Sequence, residues 1–323
     1  MSTATDTLDP LERTRPFEHV GLLYHDRSEY VTAVTGFAKT ALAAGTPVLV
    51  AVPTGNLEPL REVLGDDSTV TFVDMSAAGR NPGRIIPGVL LAFAQRNSGR
   101  PVCIVGEPIW PGRSADEYPA CVAHEIAHEI LINLVFASRP AVVLCPYDAR
   151  RLDPESVLDA HRSHPIMMMP TGDRTASRDY RRPESALAAL NQPLPPPPPD
   201  AGRMPFGDVL ALAEIRRFVS VAAAAAGLDQ DRTDDLALAV NELATNSVRH
   251  SGSDGQVYVW SEPDAMICQV EDTGHLADPL AGRIPPGPDQ PGGRGLLLVN
   301  DLSDLVRIYT RPGRTTIRVY VYR

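Results

Sequence analysis

Along the first half of the chain, short runs that are apolar at every position alternate with segments whose apolar residues recur at helical spacing. The runs are residues 20–24, 48–52, 70–73, 102–105 and 141–145, and the spacing predicts helices over 28–44, 57–64, 83–96 and 117–137 between them. A strand with one solvated face alternates apolar and polar residues, so strands apolar throughout predict a parallel sheet covered on both faces. The fold class that follows is α/β, a three-layer domain with a mostly parallel sheet.

Beyond residue 205 the rhythm changes. Helices are expected over 206–226 and 232–250, strands over 257–260 and 266–271, a helix over 295–302, and strands over 306–310 and 315–322. Helices grouped beside antiparallel hairpins predict an α+β sandwich. Between the halves the sequence turns Pro-rich, with prolines at every position from 195 to 199. Such a run favours extended polyproline geometry and a semi-rigid spacer. The expected organisation is a tail (1–16), a first domain (17–175), a linker (176–205) and a second domain (206–323). A helical pattern at 184–190 can dock on either domain.

Composition narrows the chemistry. The 323 residues are 43% hydrophobic and 22% charged, enough for two packed cores. Lys and Arg number 30 against 40 Asp and Glu, a net charge of −10. That sign is wrong for neutralising a phosphate backbone, so no direct nucleic acid partner is expected. Lys39 is the single lysine, which excludes mechanisms needing a lysine elsewhere. Cys103, Cys121, Cys145 and Cys268 lie far apart without Cys-x-x-Cys spacing and read as buried thiols of a reducing compartment. The N-terminus is polar and acidic, unlike a signal peptide, and no apolar run approaches the roughly 18 residues of a membrane span. A cytoplasmic protein with no membrane attachment is expected.

Three boxes in the second half carry candidate chemistry. Glu242, Asn246 and His250 stand at i, i+4, i+8 on one helix face, while Leu236, Leu238, Val240 and Leu243 are expected to supply the buried side. An amide oxygen suits magnesium and a carboxylate beside it can act as a base. A solvated helix face accounts for the same stripe equally well. Asp272-x-Gly274 ends a strand, where a carboxylate acceptor is followed by a glycine that lets the backbone approach a flat ligand. Gly292-Gly293-Arg294-Gly295-Leu296 opens a helix, and free amides at that point attract anionic phosphate.

In this order and on these elements, the boxes resemble those of the GHKL (HATPase) ATPase superfamily, most closely its anti-sigma factor serine/threonine kinase branch. The resemblance covers about residues 206–323. It implies ATP and Mg as cofactors, with Glu242 as the catalytic carboxylate, Asn246 holding Mg, Asp272 taking the adenine amino group, and His250, Gly274, Gly293, Gly295 and Leu296 approaching the nucleotide. Residues 275–291, rich in Gly and Pro, would be a lid. It also implies an anti-sigma antagonist of STAS type, a sigma factor, or both, as partners in transcription regulation, and leaves a homodimer open. A non-catalytic ATP-gated binding switch is the alternative. The tail departs from the family: Asp304-Leu305 and Arg311-Pro312-Gly313-Arg314 stand where a Trp-Gly pair and a Gly-Lys hairpin are usual.

Residues 17 to about 170 resemble the MEDS sensory domain of actinobacterial regulators. The resemblance rests on His19 to Tyr24, Glu107 to Ser114, His128-Glu129 with Asn133, Cys145 to Asp148, and His164-Pro165. It implies a RecA-like core without a working phosphate loop and a small-molecule ligand. Glu107, Trp110, Arg113, Tyr147 and Asp148, near the C-terminal ends of strands, are the candidate sensory ligand residues. Taken singly, each reads more readily as a hydrogen-bonded structural corner. Two motifs read as decoys. His124-Glu125-Ile126-Ala127-His128 is a literal HExxH, with Glu155 and Asp159 as conceivable supports, and makes a zinc hydrolase through His124 and His128 the remote alternative; the same helix matches the sensory family through His128, Glu129 and Asn133, where no metal is expected. Residues 33–40 have the outline of a phosphate loop but carry Ala33 and Ala38 where glycine is required and lie inside an expected helix.

Overall fold

The computed structural model describes residues 17–65, 68–111, 129, 131–137, 140–182, 191–251, 254–278, 281–285 and 293–323. It divides into two compact units, Met1–Leu190 and Asn191–Arg323.

In the first unit, strands β1 (Phe17–Tyr24), β2 (Val48–Val52), β3 (Val70–Asp74), β4 (Val102–Gly106), β5 (Ala141–Asp148), β6 (Ile166–Met168) and β7 (Arg174–Ala176) form one sheet in the order β3-β2-β4-β5-β1-β6-β7. Every neighbouring pair is parallel except β6 with β7. Val48, Val50 and Val52 pack with helices α1 (Arg27–Ala43) and α2 (Thr54–Leu64) in one core. Leu49 and Ala51, pointing the other way, are also fully buried. Both faces are therefore covered, the reason the sequence shows no alternation in these strands. The expected helix at 83–96 contains a π-helical stretch, Ile85–Leu91, between Pro82–Arg84 and Ala92–Arg96 (together α3). Pro87 cannot donate to the α-helical ladder, and the wider turn accommodates it. Residues 131–136 are helical (α4); the earlier part of the helix expected at 117–137 lies outside the described residues except Glu129. Helix α5 (Pro154–Ser163) and the short β6 and β7 were not legible as elements in the sequence. The phosphate-loop decoy lies inside α1, as expected.

The second unit is a two-layer sandwich. Strands β8 (Gly202–Phe206), β9 (Gly255–Ser261), β10 (Ala265–Asp272), β11 (Leu305–Arg311) and β12 (Arg314–Tyr322) form an antiparallel sheet in the order β11-β12-β10-β9-β8. Helices α6 (Ala211–Ala225), α7 (Gln230–Asn246) and α8 (Gly295–Leu302) complete it. Ile215 and Val219 of α6 and Leu236, Val240 and Leu243 of α7 meet Val257, Cys268, Val270 and Val319 of the sheet in one core, whereas Leu238, expected on the buried side, falls on the outer face of α7 and is exposed.

The segment expected as a linker differs from that expectation. Residues 202–206 are the edge strand β8, where Pro205 is tolerated because an edge strand leaves backbone donors unpaired. Asp208 then accepts from the Leu210 and Ala211 amides, so α6 begins five residues later than its expected start at 206. Before β8, the Asn191 side chain bonds both backbone groups of Thr310 (2.6 and 3.1 Å), and Arg318 donates to the Pro195 carbonyl. Arg318 also donates to Gln269 at 2.7 Å and lies over the Trp260 ring at 4.9 Å. The proline run is thus fastened to the second unit. The pattern at 184–190 lies outside the described residues.

Arg318→Ala removes the cation that holds Pro195, Gln269 and Trp260 together. It should destabilise the second unit by about 2 kcal/mol and speed proteolytic cleavage within residues 191–201. Urea unfolding and timed proteolysis of the full chain check both effects.

Candidate functional site

A pocket of about 620 Å³ in the second unit is lined by Asn246, Ser247, Asp272, Gly274, His275, Gly293, Gly295, Leu296 and Thr315, among others. Residues from four separate stretches of sequence therefore share one space: the end of α7, the end of β10, the beginning of α8 and the start of β12. Of the residues singled out in the sequence, Asn246, Asp272, Gly274, Gly293, Gly295 and Leu296 line it. His250 follows α7 in a π-helical turn, Ser247–Ser251, that breaks the i, i+4, i+8 phase after Asn246; its side chain lies outside the described residues.

Asp272 is the last residue of β10, paired with Thr315. Its Oδ2 accepts from the Ser247 hydroxyl at 2.5 Å and its Oδ1 from the Gly274 amide at 2.7 Å. The carboxylate is oriented from two sides and, with two lone pairs per oxygen, keeps acceptor capacity for a ligand. Ser247 was missed in the sequence, although a signal existed: it continues the buried phase of Leu236, Val240 and Leu243, and a hydroxyl in an apolar stripe must find a partner. Thr315 was also missed. Its hydroxyl meets that of Thr310 at 3.1 Å, and Thr310 in turn accepts from the Leu276 amide at 2.9 Å, fixing the chain just after the Asp272 turn.

Glu242 does not line the pocket but stands behind it. A Cβ placed on Gly295 would lie 3.0 Å from Asn246 Nδ2 and 3.2 Å from Glu242 Oε2. Both polar side chains of α7 thus converge on the first residue of α8, where a methyl group would make both side-chain ends give by a few tenths of an ångström. The helix-stripe residues Glu242 and Asn246 are half-buried. At the base of the expected lid, buried Asn300 of α8 donates to the Gly282 and Leu296 carbonyls, both at 3.1 Å, which ties residues 281–283 to the helix.

In the first unit the sheet order reverses direction between β2 and β4, the point where open parallel sheets take ligands. Glu107 follows β4 there and is fully buried. It accepts from Asn56 of α2 (2.9 and 3.1 Å), Tyr30 (3.0 Å) and Tyr24 (3.5 Å). Burial pushes its carboxyl up to about 7 against these hydrogen bonds, with Asp148 adding to the rise. Asp148 also accepts from the Arg150 and Arg151 amides. Tyr147 separates from this group: it points to the other sheet face, where its ring meets His164 edge-on at 5.5 Å. His164 lies 4.0 Å from the His19 ring, and burial, with His164 second, pushes His19 down to about 4. Trp110 is half-buried after β4, and Arg113 lies outside the described residues, as do His124 and His128. Glu155 and Asp159, conceived as zinc supports, instead both bond Arg162 within α5.

Residues 18–165 match the family model described as MEDS, the methanogen/methylotroph DcmR sensory domain, and residues 208–321 match that of the histidine kinase-like ATPase domain. No curated protein matches the chain. Among solved structures, the RsbU and RsbW domains of Rv1364c from Mycobacterium tuberculosis are similar, at 17% identity and a TM-score of 0.29 over 66% of this chain. This chain spans 50% of that one. Among the described residues no helix is long and apolar enough to cross a membrane.

Two outcomes follow from this geometry. Gly295→Ala should lower ligand affinity at the second-unit pocket at least about tenfold, because Asn246 and Glu242 must give way, an overpacking cost of roughly 1–3 kcal/mol; titration calorimetry against wild type checks it. For Glu107, the folded carboxyl titrates above its usual value. Its stabilising protonation is complete below about pH 4.5 and is lost as pH rises towards 7. Glu107→Gln should therefore gain on wild type by up to roughly 3 kcal/mol between those limits, which denaturant unfolding at several pH values measures.

Proposed function

We propose that this chain, a MEDS domain followed by a histidine kinase-like ATPase domain, is an ATP-dependent serine/threonine protein kinase of the anti-sigma factor type, its first unit a small-ligand sensor. The observation that carries the reading is the convergence of Glu242 and Asn246 on Gly295 beside a pocket containing the doubly anchored Asp272.

The residues fit ATP with magnesium. Asp272 offers an acceptor for the adenine amino group, Gly293 and Gly295 leave room for the phosphates at the start of α8, and the Asn246 amide oxygen suits a hard cation. When bound, ATP supplies the transferable phosphoryl group. Glu242 orients a Ser or Thr hydroxyl of the partner and accepts its proton. Thr315 and Ser247 hold the adenine end in place, and His275, Leu276, Asp278 and Ile284, described residues of the expected lid, border the pocket. The acceptor is an anti-sigma antagonist of STAS type, and binding a sigma factor is the other branch of the same activity. In the sensor, the Glu107, Asn56 and Asp148 corner at the sheet's switch point is the ligand site.

The test separates binding from chemistry. Glu242→Gln keeps the side-chain shape and removes the base, so ATP affinity should hold while transfer of the γ-phosphoryl group to a purified antagonist falls by roughly 10²-fold or more. Asn246→Ala should weaken ATP binding far more in magnesium than in chelator. Unchanged transfer in Glu242→Gln rejects the carboxylate as base. Wild type that transfers nothing to any antagonist, while ATP alters its affinity for that partner, replaces the kinase with an ATP-gated switch.

A further inference from the structure

A second polar cluster in the first unit takes no part in the reading above. His19 of β1, Glu129 just before α4, Cys145 of β5 and His164 just after α5 each bring a donor atom within 4.8 Å of the others, and all four are buried. The segments come from separate parts of the chain and meet on the sheet face to which Tyr147 also points. Room for His164 is made by Gly21 of β1: a Cβ there would lie 3.1 Å from the imidazole and 2.9 Å from the Met167 sulfur.

Hydrogen bonds around the cluster fix its protons. His164 Nδ1 lies 2.8 Å from the Ala160 carbonyl, which can only accept, so Nδ1 carries the proton and Nε2 a lone pair. The Asn133 amide donates to the Ser163 carbonyl at 3.1 Å and the Glu129 carbonyl at 3.3 Å. Its oxygen is thereby left to accept from His19 Nδ1 at 3.2 Å. His19 Nε2 is a lone pair as well. These two lone pairs face the same carboxylate oxygen, Glu129 Oε2, at 3.2 Å from His19 and 3.0 Å from His164. Neither Glu129 oxygen nor His164 Nε2 has a hydrogen-bond partner among the described residues.

His19 Nε2 also has the Cys145 thiol at 3.2 Å, but His164 Nε2 and the Glu129 carboxylate face one another as acceptors, and a single added proton would answer only one of the two His–Glu contacts. Two added protons would make imidazolium ions with ring centroids 4.0 Å apart, which desolvation and mutual repulsion both oppose. One divalent ion answers every acceptor at once. Cys145 Sγ, 3.2 Å from His19 Nε2, completes a set of two nitrogens, one oxygen and one sulfur. In a tetrahedral zinc site with bonds of about 2.0 to 2.3 Å, neighbouring donors stand roughly 3.3 to 3.6 Å apart. Three of the six donor–donor distances are 3.0 to 3.2 Å and all six lie within 4.8 Å, so the shell closes by adjustment of the side chains.

We propose that the first unit binds one divalent transition-metal ion of zinc type through His19 Nε2, His164 Nε2, a Glu129 carboxylate oxygen and Cys145 Sγ. Binding breaks the Cys145 S–H bond, releases that proton to solvent and forms the metal–thiolate bond. The ion's two positive charges are balanced by carboxylate and thiolate, so the buried complex is neutral. Four protein ligands close the coordination shell, which suits a structural site joining β1, α4, β5 and the end of α5 and leaves no open position for hydrolysis. Asn133 and the Ala160 carbonyl are the partners that hold the two imidazoles in the ligating tautomer.

The experiment uses the full chain. Metal content is measured by mass spectrometry as purified, and the chelator-stripped protein is titrated with Zn²⁺ and with Co²⁺. One equivalent should bind, and Co²⁺ should give tetrahedral d–d bands with a thiolate charge-transfer band that Cys145→Ser abolishes. Asn133→Ala keeps all four ligands and should weaken Zn²⁺ binding about 10- to 100-fold. Circular dichroism and ATP titration confirm that each variant is folded. Wild type that binds neither ion at stoichiometry, or a charge-transfer band that survives in folded Cys145→Ser, overturns the proposal.

Discussion

The second unit depends on a missing side chain. Gly295 lets the opening of α8 come so close to α7 that a single methyl group would press on both Asn246 and Glu242. Asn246 lines the pocket and Glu242 meets Gly295 beside it, both positioned by packing on the opposite face of the same helix, where Leu236, Val240 and Leu243 are buried in the core. The pocket's polar wall is therefore set by helix packing, and only its far side rests on loop segments. Asp272 is placed by the sheet register and then oriented by Ser247, which issues from the end of α7. One helix thus controls both ends of the pocket.

Strand alternation performs the comparable division in the first unit. Val20, Leu22 and Leu144 face the core shared with α1 and α2, while His19, Gly21, Cys145 and Tyr147 face the other way. Polar chemistry on that second face is enclosed and has no opening to solvent among the described residues. Glu107 belongs to neither face: it sits at the C-terminal edge, where Asn56 from α2 reaches it. A carboxyl held near neutrality at a sheet switch point differs physically from a carboxylate trapped between two imidazoles, and the two sites suit different ligands.

Much of this was legible because periodicity and burial are directly coupled. Strands apolar throughout, such as Val48–Val52, required cover on both faces and received it. That Asp272, Gly274 and Gly295 would share one pocket was legible because they fall at or beside element ends, where side-chain type and backbone geometry constrain each other. The proline segment was misjudged because polyproline geometry says nothing about what it lies against; Arg318 and the Asn191 clamp on Thr310 are long-range contacts. Similarly, His19, Glu129, Cys145 and His164 are separated by up to 126 residues between bonded pairs, so no local spacing could reveal them. The HExxH motif, which does have a local spacing, drew attention to His124 and His128 instead.

The proposed recognition of adenine by Asp272 is the most direct test of the account of the second unit. A carboxylate only accepts, so it should take the adenine amino group and be repelled by the guanine oxygen at the equivalent position. The measurement is a pair of binding isotherms, ATP and GTP in magnesium, on the wild-type chain and on Asp272→Asn. Wild type should prefer ATP by at least about tenfold, the equivalent of 1.4 kcal/mol, and Asp272→Asn should lose that preference. Equal affinity for the two nucleotides in wild type, or an ATP preference that survives the substitution, would contradict the account.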